Sequence, residues 1–583
     1  MNERKITFQN CFKTFTRDQD KAIAPEETLT RFYQKIDQFD CKILSEVKRI
    51  DNGRLDIPVY FSVCTDEART LTGTKKQMGK GASSQQAKAS ACMELAERFS
   101  FFAFKSDENN FIRGDYKTMR ESQFPVIDPS YLLKSVDDEN MSPAQLEKLL
   151  EGIPMQWTWA THINTDELVL VPFSWFYAIN EFNGPSAGNT IEEAALQGIS
   201  EVVERHVCSK INQHQLETPL VDQESVNDPV ARELLEKFKK NNIELYLSDF
   251  SLDTGICTVG ALAIDRKTFP ESSEIVFTAG TTPGPDKAII RAVTEVAQLA
   301  GDFNSGANYV ASGLPKPRSM AEVAYITNSS TVISTSEMAE FSDNNIKAEI
   351  DQCREALSRI GLEIFMIDVT HPGLEIPALY TIIPGAHFRE RSVRKDAGLF
   401  AAKLLHEQVD DVQLFNKILA EMETLLPESY YLAFYRGISY FNQTEYDHAL
   451  THFDIALDRN PEAEDLPYIL SYKGHSLKDL GRFDEAISAL QRGCKADDER
   501  PDIYNLLGVC YFKKQQYEQA IHCFEKAVYL NPSSAMDYAN LGVNHNRLGN
   551  GEEAIRYFTL ALTMDPTLDF ARTQLDELIA GQK

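Results

Sequence analysis

Hydrophobic and polar positions divide the chain into a first part with strands and helices and a second part with helices alone. Amphipathic helical patterns alternate with short β-rich runs at residues 58–63, 256–264, 364–369 and 379–383. A purely helical pattern follows over residues 400–426. We therefore expect an α+β domain over residues 1–390, a helical connector over 391–427 and a C-terminal all-α region over 428–580.

The all-α region contains an internal repeat. An alanine recurs at intervals of 37, 34 and 34 residues, each time twelve residues after a glycine, in the pairs Gly437 and Ala449, Gly474 and Ala486, Gly508 and Ala520, and Gly542 and Ala554. This spacing resembles that of tetratricopeptide repeats, which are pairs of antiparallel helices, and implies a solenoid of four repeats. Such an array usually holds a peptide or protein in its concave groove. A purely structural role or a homodimer interface is the alternative.

Composition and charge exclude several classes of function. The 583 residues include 59 Lys and Arg against 87 Asp and Glu, and the net charge of −28 opposes a broad surface for nucleic acid or for an anionic membrane. The longest strongly apolar stretch, residues 168–179, is too short to span a bilayer. Ten cysteines without a CxxC pair favour reduced thiols, and the amino terminus shows no secretion signal. We expect a cytoplasmic protein.

Three predicted helices share an unusual polar face. Each follows a glycine-containing loop and a helix-start signal, and each carries carboxylates at helical spacing opposite an apolar face. The three polar stripes are Ser90, Glu94, Glu97 and Arg98; Glu193, Gln197, Glu201 and Glu204; and Arg291, Glu295, Gln298 and Asp302. One interpretation is that each stripe is an ordinary solvated face. The other is that the stripes converge around magnesium ions, which prefer carboxylate and phosphate oxygens, while the helix starts bind those phosphates.

A glycine-rich string from Gly73 to Ser83 is a poor match to a phosphate-binding loop. Five residues instead of four separate Gly73 from Gly79. Lys80 is followed by a second glycine, where a Ser or Thr should bind the metal. The sequence therefore does not predict a P-loop.

Three segments carry a family resemblance: MGKGASSQQAKASACMELAERF, NGPSAGNTIEEAALQGISEVVERH and RAVTEVAQ. They resemble the nucleotide-site segments of the YcaO family, and KAIAPEETLTRF and DVTHPGLEIPALYTIIPGAHF are similar to its opening and closing segments. The resemblance covers roughly residues 15–390 and implies a YcaO-like ATP-binding domain in which glutamates of several helices hold magnesium against the triphosphate. The metal ligands that it implies are Glu94, Glu97, Glu201, Glu204 and Glu295. The nucleotide contacts that it implies are Lys21, Thr28, Ser90, Ser186, Asn189, Glu193, Arg205 and Arg291, supported by Gln197 and Gln298.

The resemblance also implies a reaction class. Enzymes of this family use ATP to phosphorylate a peptide-backbone amide oxygen, so that a nucleophile can then add. A side chain gives an azoline, whereas sulfide gives a thioamide. The carboxyl end, ALTMDPTLDFARTQLDELIAGQK, departs from the proline-rich tail of the azoline-forming branch and leaves peptide recognition to the repeats. The alternative is an ATP-binding accessory protein for ribosomal-protein methylthiolation that acts as an adaptor through its repeats. No catalytic residue is predicted.

Overall fold

The computed structural model describes residues 4–51, 54–74, 76–270, 273–300, 317–387 and 396–581. The chain forms two compact units, Met1–Phe400 and Ala401–Lys583. Asp302, the last residue of the third predicted stripe, lies outside the described residues. Across the described part of the chain, no helix has both the length and the apolar character needed to cross a membrane.

The first unit alternates helices and strands. Its helices are α1 (Pro25–Gln38), α2 (Asp66–Thr72), α3 (Ser84–Ser106), α4 (Tyr116–Arg120), α5 (Pro129–Ser135), α6 (Pro143–Leu149), α7 (Phe173–Asn180), α8 (Ile191–His214), α9 (Pro229–Lys240), α10 (Pro285–Ala300), α11 (Ala324–Thr327) and α12 (Ile346–Arg359). Its strands are β1 (Leu44–Arg49), β2 (Val59–Cys64), β3 (Lys76–Lys80), β4 (Ile112–Gly114), β5 (Met155–His162), β6 (Glu167–Pro172), β7 (Pro185–Ala187), β8 (Leu220–Val221), β9 (Glu244–Asp249), β10 (Thr258–Ile264), β11 (Val276–Thr281), β12 (Val332–Ile333), β13 (Phe365–Asp368) and β14 (Ala378–Ile382). The four predicted runs are observed as β2, β10, β13 and β14.

Within the described residues the strands form three sheets. One sheet is β1-β2-β3, the second is β11-β10-β9-β8-β12, and the third is β4-β5-β13-β14-β7, with β6 added beside β5. Three long helices pack against them: α3 on β2 and β3, α8 on β7 and β14, and α10 on β10 and β11. The apolar faces of these helices are buried, as Leu95, Val203 and Val293 illustrate. Each polar stripe lies on the opposite side of its helix, because the helical period separates the two faces.

A glycine beside each long helix allows unusually close packing. These glycines are Gly79, Gly188 and Gly280, and a Cβ added at any of them would collide with helix backbone. It would lie 2.0 Å from the Ala91 nitrogen at Gly79, 2.5 Å from the Ala194 nitrogen at Gly188 and 2.5 Å from the Ala288 oxygen at Gly280. Because backbone atoms cannot yield as a flexible side chain can, these three positions require glycine. Gly79 and Gly280 lie in β3 and β11 and not in the loops that the sequence predicts, whereas Gly188 lies in the loop before α8, and all three glycines have a packing role.

The second unit is helical. Helix α13 (Ala397–Gln408) crosses the boundary between the units, and the helices that follow are α14 (Val412–Leu425), α15 (Tyr430–Asn442), α16 (Tyr446–Asp458), α17 (Leu466–Asp479), α18 (Phe483–Ala496), α19 (Pro501–Lys513), α20 (Tyr517–Leu530), α21 (Ala535–Arg547), α22 (Gly551–Met564) and α23 (Asp569–Gly581). The pattern predicted over 400–426 is thus two helices. They are separate because the Asp411 side chain accepts a hydrogen bond from the Leu414 amide at 2.7 Å and caps α14.

The repeated glycines and alanines lie where the helices of each pair meet. Helices α15 to α22 pack as four consecutive pairs, and the four repeat alanines are fully buried. Each repeat glycine is covered by a bulky side chain of the second helix. A Cβ added at the glycine would lie 2.5 Å from the Phe453 side chain at Gly437, 2.5 Å from Leu490 at Gly474, 2.7 Å from Phe524 at Gly508 and 2.8 Å from Phe558 at Gly542. The repeat period therefore reflects the close packing of the two helices in each pair, as predicted.

Candidate active site

A polar cavity of about 330 Å³ lies between the polar faces of α3, α8 and α10. Every described member of the three predicted stripes lines it: Ser90, Glu94, Glu97, Arg98, Glu193, Gln197, Glu201, Glu204, Arg291, Glu295 and Gln298. None of these eleven residues is exposed. The stripes therefore converge on one cavity, and their interpretation as solvated helix faces is wrong.

Two of the predicted helix starts are confirmed and lie beside the cavity. The Ser83 hydroxyl accepts a hydrogen bond from the Gln86 amide at 3.2 Å, and the Thr190 hydroxyl accepts one from the Glu193 amide at 3.2 Å. Gln86, Gly188 and Asn189 line the cavity. The amino-terminal ends of α3 and α8, which carry the positive ends of the helix dipoles, therefore lie beside the cavity, and such ends favour the binding of an anion.

Carboxylates and basic side chains form ion pairs in the cavity. The carboxylate ion pairs join Glu295 to Lys80, Glu204 to the Arg291 Nε at 3.3 Å, and Glu97 to the Arg98 Nε at 3.5 Å. Arg291 also donates a hydrogen bond to the Gln197 Oε1 at 2.8 Å. The cavity therefore holds acidic and basic side chains close together and largely out of contact with solvent.

Burial and mutual repulsion shift the pKa values of these carboxyl groups. Burial raises the pKa of Glu94, and the neighbouring Glu201 and Glu295 raise it further. Burial, Glu201 and Glu94 raise the pKa of Glu97 well above its usual range, and burial with Glu295 raises that of Glu204. For Glu295, burial acts in the same direction, but Lys80, Arg205 and Arg291 together outweigh it and lower the pKa. Buried carboxylates so close together favour the approach of cations.

The donor set fits a magnesium triphosphate. Five carboxylates, Glu94, Glu97, Glu201, Glu204 and Glu295, offer the oxygen ligands that magnesium prefers. Lys21, Lys80, Arg98, Arg205 and Arg291 line the same cavity and offer the donors that phosphate oxygens need. Among the described residues, however, no group of three or more His, Cys, Asp or Glu side chains is already arranged to hold a metal ion. The chemistry of the donors fits, while basic side chains form ion pairs with three of the five carboxylates, Glu97, Glu204 and Glu295.

Seven of the eight predicted nucleotide contacts line the cavity: Lys21, Thr28, Ser90, Asn189, Glu193, Arg205 and Arg291. Ser186 is not among the described residues that line it. Its side chain is fully buried where β7 packs on α8, and its hydroxyl donates a hydrogen bond to the Ala194 carbonyl at 2.8 Å. The structure therefore places Ser186 in the support of α8 and not at the cavity.

Glu193 joins the loops that border the cavity. Its carboxylate accepts hydrogen bonds from the Ala22 amide at 2.5 Å and from the Asn189 amide at 2.8 Å. Ala22 follows Lys21, so one side chain holds the backbone next to two predicted nucleotide contacts. In this structure Glu193 acts as a positioning residue.

Sequence reasoning did not predict three polar side chains that line the cavity: Gln19, Lys80 and Gln86. The Gln86 side-chain amide donates a hydrogen bond to the Gln19 Oε1 at 3.0 Å. In the sequence, Lys80 attracts attention only as part of the string that does not match a P-loop. The signal that could have identified it is its position between two glycines directly before α3.

Comparison with known proteins agrees with this geometry. The family model described as "YcaO cyclodehydratase", ATP- and Mg²⁺-binding, matches residues 78–387, and tetratricopeptide-repeat models match 474–515, 501–534 and 538–568. An uncharacterized protein of Methanothermobacter thermautotrophicus is 27% identical over 63% of this chain and 94% of its own. The ribosomal protein S12 methylthiotransferase accessory factor YcaO of Escherichia coli is 26% identical over 50% of each chain.

The fold has a counterpart among solved structures. YcaO from Methanopyrus kandleri, bound with AMPPCP and Mg²⁺, aligns with a TM-score of 0.50 and 21% identity over 64% of this chain and 95% of its own. The family model covers more than half of the present chain and includes all three helices that form the cavity. The chain therefore belongs to the YcaO family and carries tetratricopeptide repeats in its second unit.

Proposed function

We propose that this chain is an enzyme that uses ATP and Mg²⁺ to activate a backbone amide of a peptide or protein. The observation that carries this proposal is a cavity that is lined by six carboxylates and five basic side chains. Such a set matches a magnesium triphosphate better than it matches a neutral ligand. Membership of a family described as ATP- and Mg²⁺-binding cyclodehydratases supports the same assignment.

We assign the residues as follows. The magnesium ligands are Glu94, Glu97, Glu201, Glu204 and Glu295, and bound magnesium would neutralise charge on the triphosphate. The nucleotide contacts are Lys21, Thr28, Ser90, Asn189, Arg205 and Arg291. Glu193 holds the loops that carry Lys21 and Asn189 through its hydrogen bonds to the backbone.

The reaction balances as two displacements. The amide oxygen attacks the γ-phosphorus of ATP, and ADP leaves. A nucleophile then adds to the amide carbon, and the original oxygen departs with the phosphoryl group as inorganic phosphate. Sulfide as the nucleophile would give a thioamide. The work of the chain is to position the reactants and to stabilise charge, which is the usual contribution of a protein to phosphoryl transfer.

The repeats provide the surface for a peptide or protein partner. A groove of about 740 Å³ in the second unit is lined by aromatic and amide side chains, among them Phe441, Tyr468, Tyr472, Asn505 and Asn531. Aromatic rings bury apolar side chains, and amides hydrogen-bond to an extended backbone. We infer that this groove recruits the substrate or the partner.

A second candidate function is an ATP-binding accessory protein that recruits a modifying enzyme through its repeats. The similarity to the Escherichia coli accessory factor favours it. Both candidates need the cavity. Only the enzyme must release ADP and phosphate in proportion to modified peptide.

Mass spectrometry of candidate peptides incubated with the full chain, ATP, Mg²⁺ and sulfide tests the proposal. We expect replacement of one amide oxygen by sulfur, with one ADP formed for each modified bond. The Glu201→Gln chain should give neither product. ATP binding without any peptide-dependent ADP release across the peptide set would favour the accessory function.

A further inference from the structure

Lys80 lies on β3, and this strand packs closely against the first half of α3. A Cβ at Gly79 would lie 2.0 Å from the Ala91 nitrogen, and a Cβ at Gly81 would lie 2.7 Å from the Gln86 Cγ. The two glycines thus allow a close approach on both sides of Lys80. Met78 and Lys80 lie two residues apart on β3 and both line the cavity, as strand alternation requires. The two glycines of the sequence GKG therefore fix the point at which the Lys80 side chain enters the cavity.

The Lys80 ammonium forms an ion pair with the Glu295 carboxylate of α10, and both side chains are largely buried. Glu295 is one of the proposed magnesium ligands. Among the described residues, this carboxylate is the one hydrogen-bond partner of the Lys80 side chain. In the structure an internal cation therefore fills the place that a divalent cation would take at Glu295.

Arg291 and Arg98 each contact a second group besides their carboxylate, unlike Lys80 among the described residues. Arg291 contacts Glu204 and also donates to the Gln197 Oε1 at 2.8 Å. Arg98 contacts Glu97 and also donates to the Phe182 carbonyl at 3.3 Å. Of these three cations, a lysine on a flexible four-carbon stem with one partner can change partners at the least cost.

We propose that Lys80 is the built-in counter-cation of Glu295 and that it exchanges this carboxylate for the triphosphate when ATP and Mg²⁺ enter together. The proposal rests on the function proposed above. Phosphate oxygens are strong partners for an ammonium group, so the nucleotide can draw Lys80 away. Glu295 is then released for the metal. It follows that a divalent cation alone competes poorly with Lys80, so that the metal site forms only with the nucleotide.

The test measures Mn²⁺ binding to the full chain by electron paramagnetic resonance, with and without the ATP analogue AMPPCP. The wild-type chain should bind Mn²⁺ tightly only when AMPPCP is present. Lys80→Met removes the charge but keeps the length of the side chain, so Mn²⁺ alone should bind at least about tenfold more tightly than to wild type. The same variant should bind Mg²⁺·AMPPCP at least about fivefold more weakly, because one phosphate partner is lost.

Two variants control the experiment. Lys76→Met makes the same change at an exposed position of the same strand and should match wild type in both measurements. Lys80→Arg keeps the charge and should still exclude Mn²⁺ when the nucleotide is absent. If Lys80→Met does not fold, the comparison of Mn²⁺ binding by wild type with and without AMPPCP still tests the proposal.

Tight Mn²⁺ binding by wild type without nucleotide would overturn the proposal, as would a folded Lys80→Met chain that still excludes Mn²⁺. Either result leaves the proposed function intact as long as Mg²⁺·AMPPCP binds. A wild-type chain that does not bind Mg²⁺·AMPPCP contradicts the proposed function itself.

Discussion

The Nε atom of Arg291 lies 3.3 Å from the Oε2 atom of Glu204, and this ion pair joins α10 to α8 across the cavity. The same Glu204 oxygen accepts a hydrogen bond from the Thr281 amide of β11 at 3.1 Å. One carboxylate thus connects two helices and a strand before any ligand is bound. Because a buried charge that loses its partner is costly, the groups that would bind the ligand also hold one another in place.

We expect Gly79→Ala to destabilise the first unit by more than about 2 kcal/mol, because the new Cβ would lie 2.0 Å from the Ala91 nitrogen. Urea unfolding measures the change. Gly73→Ala is the matched control. Nothing lies within 4 Å of its Cβ, so the cost should be the backbone strain of its φ of +70° alone, about 1 kcal/mol. Equal effects of the two substitutions would contradict the packing role of Gly79.

Gly508→Ala should destabilise the repeats by about 1–3 kcal/mol, because its Cβ would lie 2.7 Å from the Phe524 ring. Phe524→Leu should relieve part of this cost. The double variant should therefore lose less stability than the two single variants together, by at least about 0.5 kcal/mol in a denaturant cycle. The control pair, Gly481→Ala with Phe524→Leu, should be additive, since nothing lies within 4 Å of a Cβ at Gly481.

His206 makes the stability of the first unit sensitive to acid. Burial, with help from the nearby His387 and Lys210, lowers its pKa to about 3. The unfolded chain binds a proton near pH 6.5 and the folded chain does not, so stability falls as the pH drops below about 6.5. Between pH 6.5 and 5, wild type should lose up to about 2 kcal/mol more than His206→Gln in urea unfolding. Parallel pH profiles for the two chains would show that His206 is charged in the fold.

Removal of residues 428–583 should leave ATP binding unchanged, because every proposed nucleotide and metal residue lies in the first unit. Calorimetry on residues 1–427 should give an ATP affinity within about twofold of the full chain. The fragment should lose affinity for the peptide or protein partner. A monodisperse fragment that fails to bind ATP would show that the repeats help to build the site.

The three stripes were predictable because helical period and capping signals are local. Ser83 and Thr190 mark two helix starts, and carboxylates spaced by three or four residues must share a face. The convergence of the stripes is not local. It depends on contacts between elements that are distant in the chain, such as α10 with β3 and α8 with β11.

The missed features have equally physical causes. Lys80 is separated from Glu295 by 215 residues, so no spacing rule connects them. Ser186 shares a motif with Asn189, but a motif does not say which way a strand side chain points. The close contact of β7 with α8 turns the Ser186 hydroxyl toward the Ala194 carbonyl. Motif membership therefore placed Ser186 near the cavity but could not show that its hydroxyl is turned away from it.

The proposed function requires carboxylates of α3, α8 and α10 to hold the metal of a Mg²⁺·ATP complex. Calorimetric titration of the Glu201→Gln, Glu204→Gln double variant tests it most directly, since glutamine keeps the side-chain length and removes the charge. Glu236→Gln on α9, an exposed position, serves as the control. We predict a folded double variant with at least about tenfold weaker Mg²⁺-dependent ATP binding and an unchanged control. A folded double variant that binds ATP as tightly as wild type would contradict the site.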